Sequence, residues 1–426
     1  MKSKIIEPIG RLAGEARMPG DKSISHRAVM LGAIARGRTK IKGLLDCDDC
    51  AYTIDAFREM GIDITRDGDF TLIDGNGLKG LKAPKGPIYV GNSGTTMRLL
   101  AGILAGQNFE ATLEGDRSLT ERPMRRITEP LSLMGVDIKD SLGGYPPLKI
   151  KGGRVMPVEY KMPIASAQVK SSVLFAGLYV DGFTRVEEPA LSRDHTERMM
   201  RFFGANIRTD GLKITLEGLR DLKAGELEIP GDISSASFLI VAALILKNSK
   251  IRIRTTGVNP TRAGILNVLS GMGARIRISK RRDPYEPAAD IEVVSGPTRG
   301  IVIDRSVIPS VIDELPVIFV LASLSQGPTV IRGAEELRVK ETDRIRSMSQ
   351  NLAKMGAKIE IRGSDIVIEG AARLKGSRLE SFGDHRTCMA MAVAALAADG
   401  ESEIDDVGCV NKSFPEFFDI LERLRA

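Results

Sequence analysis

Histidine, cysteine and aromatic side chains are scarce in this 426-residue sequence, and each shortage narrows the possible functions. Three histidines are too few to build a metal cage on imidazole, so no metal is expected. Four cysteines are not a disulfide scaffold. Cys47 and Cys50 form one CxxC, but Cys388 and Cys409 supply no second pair, which a structural zinc site usually needs; the CxxC reads as two ordinary thiols near a helix start. Aromatics are 4% of residues, and there is neither a Lys/Arg tract nor an aromatic-rich RNA-binding signature, which argues against a nucleic-acid partner. Apolar runs reach only about a dozen residues, short of the roughly 20 that a membrane span needs. The start, "MKSKIIEP", turns polar at once, unlike a signal or transit peptide. No GKS or GKT follows a GxxxxG spacing, so there is no Walker loop. The expectation is a cytoplasmic protein with no membrane partner.

What is present fits a globular protein: 42% apolar residues, 27% charged residues and a net charge of +6. The length exceeds one ordinary core and predicts two domains. The positive charge is spread along the chain, so each cation has to be judged in its own place.

The strongest signal is repetition. Apolar segments follow polar or small-residue openings at "DKSISHRAVMLGAIARG" from Asp21, "GNSGTTMRLLAGILAG" from Gly91 and "PIASAQVKSSVLFAGLYVDG" from Pro163. They return at "PGDISSASFLIVAALILKN" from Pro230, "PSVIDELPVIFVLASLSQG" from Pro309 and "FGDHRTCMAMAVAALAADG" from Phe382. The starts lie roughly 70 to 80 residues apart, a spacing that marks an internal repeat. A second beat, "FREMGIDI", "LSLMGVDI", "MRFFGANI", "LSGMGARI" and "LAKMGAKI", predicts a helix closed by Gly61, Gly135, Gly204, Gly273 or Gly356, then a strand. Alternating stretches such as "KIRIRT", "RIRIS" and "DIEVVS" supply further strands. Each unit is therefore about two helices and four short strands, and the sixth stops inside its second helix, "FPEFFDILERLRA".

The first helix of each unit is apolar almost all round, which suits an interior rather than a half-solvated surface. The expected architecture is α/β turned inside out: buried parallel helices, sheets outside, three units to a domain. Helix N-termini carry free N–H groups and about half a positive charge, so a cluster of them is an anion site. Gathered on one face of each domain, with the two faces opposed, they would line an electropositive cleft.

The side chains at these openings are the candidates for chemistry. Lys22 and Ser23 flank the first cap, with Arg27 one turn on. Gly94 in "NSGTTMR" would let a ligand approach the backbone closely. Arg122 precedes Pro123 at a helix start and is either an anion clamp or a surface charge. Ser166 and Gln168 open the third apolar helix, where a buried glutamine needs partners. Asp313 and Glu314 in "IDELP" stand where other units carry cations or hydroxyls; each is either a plain cap or a proton-transfer group. In "RVKETDRIR", Lys340 and Arg344 are four apart and would share one helix face, with Glu341 between them. Arg386 lies in "GDHRT" and Lys412 in "NKSFPEF".

Taken together, "PGDKSISHR", "GNSGTTMR", "ERPM", "SAQVKS", "DELP", "VKETDR", "GDHR" and "NKSFPEFF" resemble the 5-enolpyruvylshikimate-3-phosphate synthase (3-phosphoshikimate 1-carboxyvinyltransferase) family over essentially the whole length. The resemblance implies transfer of the carboxyvinyl group of phosphoenolpyruvate to the 5-hydroxyl of shikimate 3-phosphate, with release of phosphate through a tetrahedral adduct. This is a step of the shikimate pathway to chorismate and aromatic amino acids. It implies no metal or organic cofactor, a monomer, and two inside-out α/β domains of three units each, residues 1–20 plus 230–426 and residues 21–229, with the active site in the cleft between them.

Roles carry over motif by motif. Lys22, Ser23, Arg27, Ser166, Gln168, Arg193, Asp313 and Lys340 match the shikimate 3-phosphate site. Lys22, Gly94, Arg122, Gln168, Arg344, Arg386 and Lys412 match the phosphoenolpyruvate site. Asp313, Glu341 and Lys22 match the catalytic groups, Asp313 serving the 5-hydroxyl and Glu341 the methylene carbon. Ala167, Leu99, Glu336 and the segment "SRDHTER" depart from the best-known bacterial pattern and resemble the family's second sequence class, with Arg193 taking a phosphate contact. Two rivals remain at this stage. The sister transferase that uses UDP-N-acetylglucosamine carries a reactive cysteine in the loop that here reads "EGDRSLTERP". A basic nucleic-acid-binding repeat protein would have no use for Asp313 and Glu341 among its cations.

Overall fold

All six apolar segments are α-helices in the computed structural model, which describes residues 3–282, 285–370 and 373–426. They run Lys22–Ile34, Gly94–Ala105, Ala167–Gly177, Ile233–Ile245, Leu315–Leu324 and His385–Leu396. Five begin on a side chain that accepts a backbone N–H: Asp21, Ser93, Ser166, Asp232 and Asp384. Such caps satisfy donors that the helix cannot pair itself. The cap of the first helix is Asp21, so Lys22 and Ser23 both lie inside the first turn rather than on either side of the cap. The fifth helix has no side-chain cap; Pro316 stands in its first turn, where a missing N–H costs nothing.

These helices are interior. Every residue from Ile24 to Ile34 is buried, as is every residue from Ile233 to Leu244 and from His385 to Leu396. Each fully buried Leu, Ile or Val contributes about 1.5–3 kcal/mol, so the helices are held by being surrounded. The sheets cover them. Tyr145–Lys151 alternates exposed and buried along its length, one face on the helices and one in solvent.

The chain divides into two compact units: the segment ending at Pro19 together with Pro230–Ala426, and Gly20–Ile229. In the Gly20–Ile229 unit, three four-stranded sheets share one pattern. In the second sheet, Ile88–Tyr89 runs parallel to Glu110–Glu114, which is antiparallel to Tyr145–Lys151, itself antiparallel to Asp137–Ser141. The core helix Gly94–Ala105 joins the parallel pair. In the first sheet the leading strand, Glu226–Glu228, comes from the far end of the unit and lies parallel to Arg36–Lys42.

The other unit uses the chain's start in the same way. Ala13–Arg17 leads its first sheet, parallel to Lys250–Gly257. Its third sheet has three strands: Arg378–Leu379 parallel to Ser402–Ile404, and Lys4–Ile6 antiparallel to that strand in the register Lys4↔Ile404. The sixth repeat, cut short by the C-terminus, thus takes a strand from the N-terminus. Periodicity along the sequence could not show this, because the two segments lie at opposite ends of the chain.

The glycines that close the second helices adopt left-handed backbone, with φ between +78° and +96° at Gly61, Gly135, Gly204, Gly273 and Gly356. A side chain is strained there, so glycine ends the helix and turns the chain into the next strand.

Candidate active site

In the Gly20–Ile229 unit the first turns of the three core helices meet through side chains. Arg27 is 3% exposed and all three of its guanidinium nitrogens bond to the protein: Nε donates to Thr196 Oγ1 at 2.6 Å, Nη2 to Ser171 Oγ at 2.8 Å and Nη1 to Ser23 O at 2.8 Å. Ser171 lies on the third core helix, one turn beyond its cap Ser166. Gln168, in the same turn, accepts from Arg98 Nη1 at 2.7 Å and donates to Thr95 Oγ1 at 3.1 Å, which brings in the second core helix. Lys22 is ion-paired to Asp49 at 2.9 Å.

Arg122 is 8% exposed and is held by Asn92, whose Oδ1 lies 2.5 Å from Nη2, and by Ser118 Oγ at 3.3 Å. Asn92 in turn donates to both oxygens of Asp116 at 2.8–2.9 Å. A Cβ at Gly94 would stand 2.9 Å from Arg98 Nη1 and 3.4 Å from Arg122 Nη1, so a larger residue would push the Arg98 guanidinium aside. The helix after "ERP" begins at Arg125, so Arg122 sits in the preceding turn. Arg98, Asp49, Thr196 and Ser171 were not singled out from sequence. Arg98 lies inside a quoted motif, but nothing in the sequence pairs it with Gln168.

A row of hydroxyls ties the same helices together behind these cations. His26 Nδ1 is 2.7 Å from Thr53 Oγ1, which is 2.7 Å from Thr96 Oγ1, which is 2.7 Å from Ser93 Oγ. Burial, then Lys22 and Arg27, push the His26 imidazole well below its ordinary value of 6.5, so it is neutral when folded. Only the unfolded chain takes up this proton near pH 6.5. Stability from this residue is therefore complete above that pH and is lost as the pH falls below it. Urea unfolding at pH 7.5 and 5.5 should show the wild type losing about 1.4 kcal/mol more than His26→Asn over that interval. Equal losses in the two proteins would mean that His26 titrates alike folded and unfolded.

In the other unit the candidate groups gather around Arg344, 1% exposed. Its Nε donates to Asp384 Oδ2 at 2.8 Å, Nη1 lies 3.4 Å from Asp313 Oδ1, and Nη2 bonds Glu341 Oε2. Burial alone would lower the pKa of this guanidinium; Asp384, then Glu341 and Asp313, more than reverse that and hold it charged. Arg386 donates from Nη1 to Asp313 O at 2.9 Å and keeps Nε 3.7 Å from Asp313 Oδ1. Asp384 both caps the sixth core helix, accepting Arg386 N–H at 2.8 Å, and anchors Arg344. Lys412 Nζ reaches Gly383 O at 2.9 Å.

The two neighbouring carboxylates of "DELP" separate clearly. Glu314 is fully buried and ion-paired to Arg262 at 2.7 Å, with Ser234 on the same oxygen; it locks the fourth and fifth core helices together. Asp313 keeps 16% of its side chain exposed between two arginines.

The helix-face reading of "RVKETDRIR" is corrected by the structure. Asp343 caps a helix that starts at Arg344, so Lys340 and Glu341 lie outside it, after the 3-10 turn Glu335–Val339. Glu341 nevertheless meets Arg344, because the loop folds back over the helix start. Lys340 is only partly exposed; burial lowers its pKa against the opposing pull of Asp313.

Ser166 serves as cap to Val169 N–H, and Arg193 stands just before the helix His195–Phe202. Cys47 occupies the cap position of Asp48–Glu59. All four cysteines are buried and unbridged, and no group of three metal-ligating side chains occurs among the described residues. No single helix among them is long and apolar enough to cross a membrane.

Paired arginines with the accessible carboxylates Asp313 and Glu341 at helix starts, on repeated α/β units with their sheets outside, go with a fold that is that of the enolpyruvyl transferases. The enolpyruvyl transferase NikO from Streptomyces tendae shares it at a TM-score of 0.80 and 18% identity, over 99% of this chain and 96% of that one.

The chain belongs to the EPSP synthase (3-phosphoshikimate 1-carboxyvinyltransferase) family, whose sequence pattern matches residues 6–421. It is 50% identical to the 3-phosphoshikimate 1-carboxyvinyltransferase of Geobacter sulfurreducens, over 100% of this chain and 99% of that protein. It is 47% identical to that of Bacillus cereus strain G9842, over the full length of both. The EPSP synthase of Acinetobacter baumannii superposes with a TM-score of 0.88 at 41% identity, covering 99% of this chain and 98% of that one.

Proposed function

We infer that the protein transfers the carboxyvinyl group of phosphoenolpyruvate to the 5-hydroxyl of shikimate 3-phosphate, releasing phosphate. The observation that carries this is the placement of Asp313: an accessible carboxylate fixed between Arg344 and Arg386, beside a second carboxylate, Glu341, on the same arginine. Both substrates bring a phosphate and a carboxylate. Two like charges 4 Å apart repel by about 4 kcal/mol at an effective dielectric constant of 20, so the cations are needed before any chemistry begins.

Lys22, Ser23, Arg27, Ser166, Gln168, Arg193 and Lys340 would hold shikimate 3-phosphate, with Asp313 on its 5-hydroxyl. Lys22, Gly94, Arg122, Gln168, Arg344, Arg386 and Lys412 would hold phosphoenolpyruvate. Arg27 makes three hydrogen bonds within the protein, so besides adding its positive field it fixes Ser171 and Thr196 and the first turn at Ser23.

Protonation of the methylene carbon, assigned to Glu341, makes the adjacent carbon electrophilic. The 5-hydroxyl adds there as its proton passes to Asp313. Glu341, left as a carboxylate by the first step, takes a methyl proton back from the tetrahedral adduct as the carbon–oxygen bond to phosphate breaks and phosphate leaves. Arg344 bonds both carboxylates, which keeps the two proton-handling groups in one fixed relation. The same reading places the protein in the cytoplasm, since neither phosphorylated substrate crosses a lipid bilayer unaided.

The test is phosphate release from phosphoenolpyruvate with either acceptor. Turnover is expected with shikimate 3-phosphate and none with UDP-N-acetylglucosamine, whose transferase relies on a cysteine that the loop Glu114–Pro123 lacks. Turnover with the nucleotide sugar alone would overturn the assignment.

A further inference from the structure

A second buried ionic cluster lies immediately behind the Arg27 site, and the proton chemistry has no use for it. Lys170, 1% exposed, is bonded by Nζ to Glu188 Oε2 at 2.8 Å and to Glu197 Oε1 at 2.7 Å, and reaches Ser192 O at 3.5 Å. Ser192 Oγ bonds the other oxygen of Glu188. Both glutamates are 2% exposed, and Glu197 Oε2 has no hydrogen-bond partner among the described residues. One ammonium therefore serves two interior carboxylates. An arrangement of this kind is a poor source of stability, since desolvation offsets the attraction.

What the cluster does have is adjacency. Each segment it grips carries a site residue next door. Lys170 precedes Ser171, and Glu197 follows Thr196; these two hydroxyls hold Arg27 and bond each other at 2.6 Å. Ser192 precedes Arg193. The three segments are the third core helix, the loop after the strand Phe183–Glu187 and the start of the helix His195–Phe202. The cluster ties that loop and helix start to the core helix by ion pairs between groups that are 1–3% exposed.

We propose that Lys170, Glu188 and Glu197 are positioning residues for the shikimate 3-phosphate site, fixing Ser171, Thr196 and Arg193 around Arg27 and so setting affinity for that substrate. The proposal rests on the assignment of Arg27 and Arg193 to shikimate 3-phosphate made above. On the phosphoenolpyruvate side Arg122 is held by Asn92 and Ser118, neither of them a member of the cluster.

The experiment measures KM for each substrate, kcat and thermal melting for Glu197→Gln, Lys170→Met, Lys170→Arg and, as reference, Arg27→Ala. Glu197→Gln keeps shape and removes charge, so it carries the test if Lys170→Met, which strands two carboxylates, fails to fold. Small displacements of binding groups have large kinetic effects. Glu197→Gln is expected to raise KM for shikimate 3-phosphate about tenfold and to leave KM for phosphoenolpyruvate within about twofold. Lys170→Arg should regain part of what Lys170→Met loses. Equal rises in both KM values, or a lower melting temperature with both KM values unchanged, would reduce the cluster to a structural ion pair. If Arg27→Ala raises KM for shikimate 3-phosphate and Glu197→Gln does not, the positioning role alone is wrong. If Arg27→Ala leaves it unchanged, the substrate assignment fails and takes the proposal with it.

Discussion

Asp313→Asn is expected to lower kcat about 10³-fold, within the range that a positioned general acid–base group contributes, with little change in melting temperature or in KM for phosphoenolpyruvate. The structure separates these effects. The strongest bond that Arg386 makes here goes to the backbone oxygen of Asp313, which survives any side-chain change. The carboxylate itself lies 3.4 Å and 3.7 Å from Arg344 and Arg386, long ion contacts that contribute little to stability. An asparagine fills the same volume and cannot take the hydroxyl proton. Steady-state turnover and a thermal melt on one preparation decide the matter. A variant that retained more than a tenth of wild-type turnover would move proton transfer to another group. The opposite pattern is expected of Glu314, the neighbouring carboxylate, whose role is to neutralise Arg262 in the core.

Arg344→Met should be strongly destabilising. It removes the guanidinium from Asp384, which is fully buried, and from Glu341 and Asp313. Stripping one partner from a buried ion pair costs about 3–5 kcal/mol, because the remaining charge has no water to turn to. For a unit of this size that corresponds to a fall of about 10 °C in its melting temperature. Arg344→Lys recovers little, since a single ammonium cannot reproduce the fork that spans Asp384, Glu341 and Asp313. The double variant Arg344→Met/Asp384→Asn separates stranded charge from lost packing. Asparagine still caps Arg386 N–H, so the double variant should melt above the single one. If it melts lower still, the damage is loss of packing and the charge argument is wrong.

These two residues show where reading along the sequence reaches its limit. The repeats, the six interior helices, their polar caps and the glycines that close the second helices are encoded locally. Each depends on residues within one or two helical turns, so spacing and side-chain type reveal them. The residue types at the openings were legible for the same reason: a helix start offers N–H donors and positive potential, and cations and hydroxyls placed there form an anion site. The misplacement of Lys340 and Glu341 on a helix has an equally local cause, since Asp343 outcompetes the charge pattern as a cap.

Partner choice is not local. That Glu314 is consumed by Arg262, 52 residues away in sequence, and Asp313 is not, depends on which helix packs behind which. That Lys170 is clamped by Glu188 and Glu197 depends on a loop returning to the third core helix. That the third sheet of one unit borrows Lys4–Ile6 joins opposite ends of the chain. The sequence by itself determined the repeated unit, the burial of its helices and the chemical kinds gathered at their starts, because caps, periodicity and turns act over a few residues. The tertiary structure alone decided which of two adjacent carboxylates is accessible and which charges are neutralised in the core, because desolvation and ion pairing act through space.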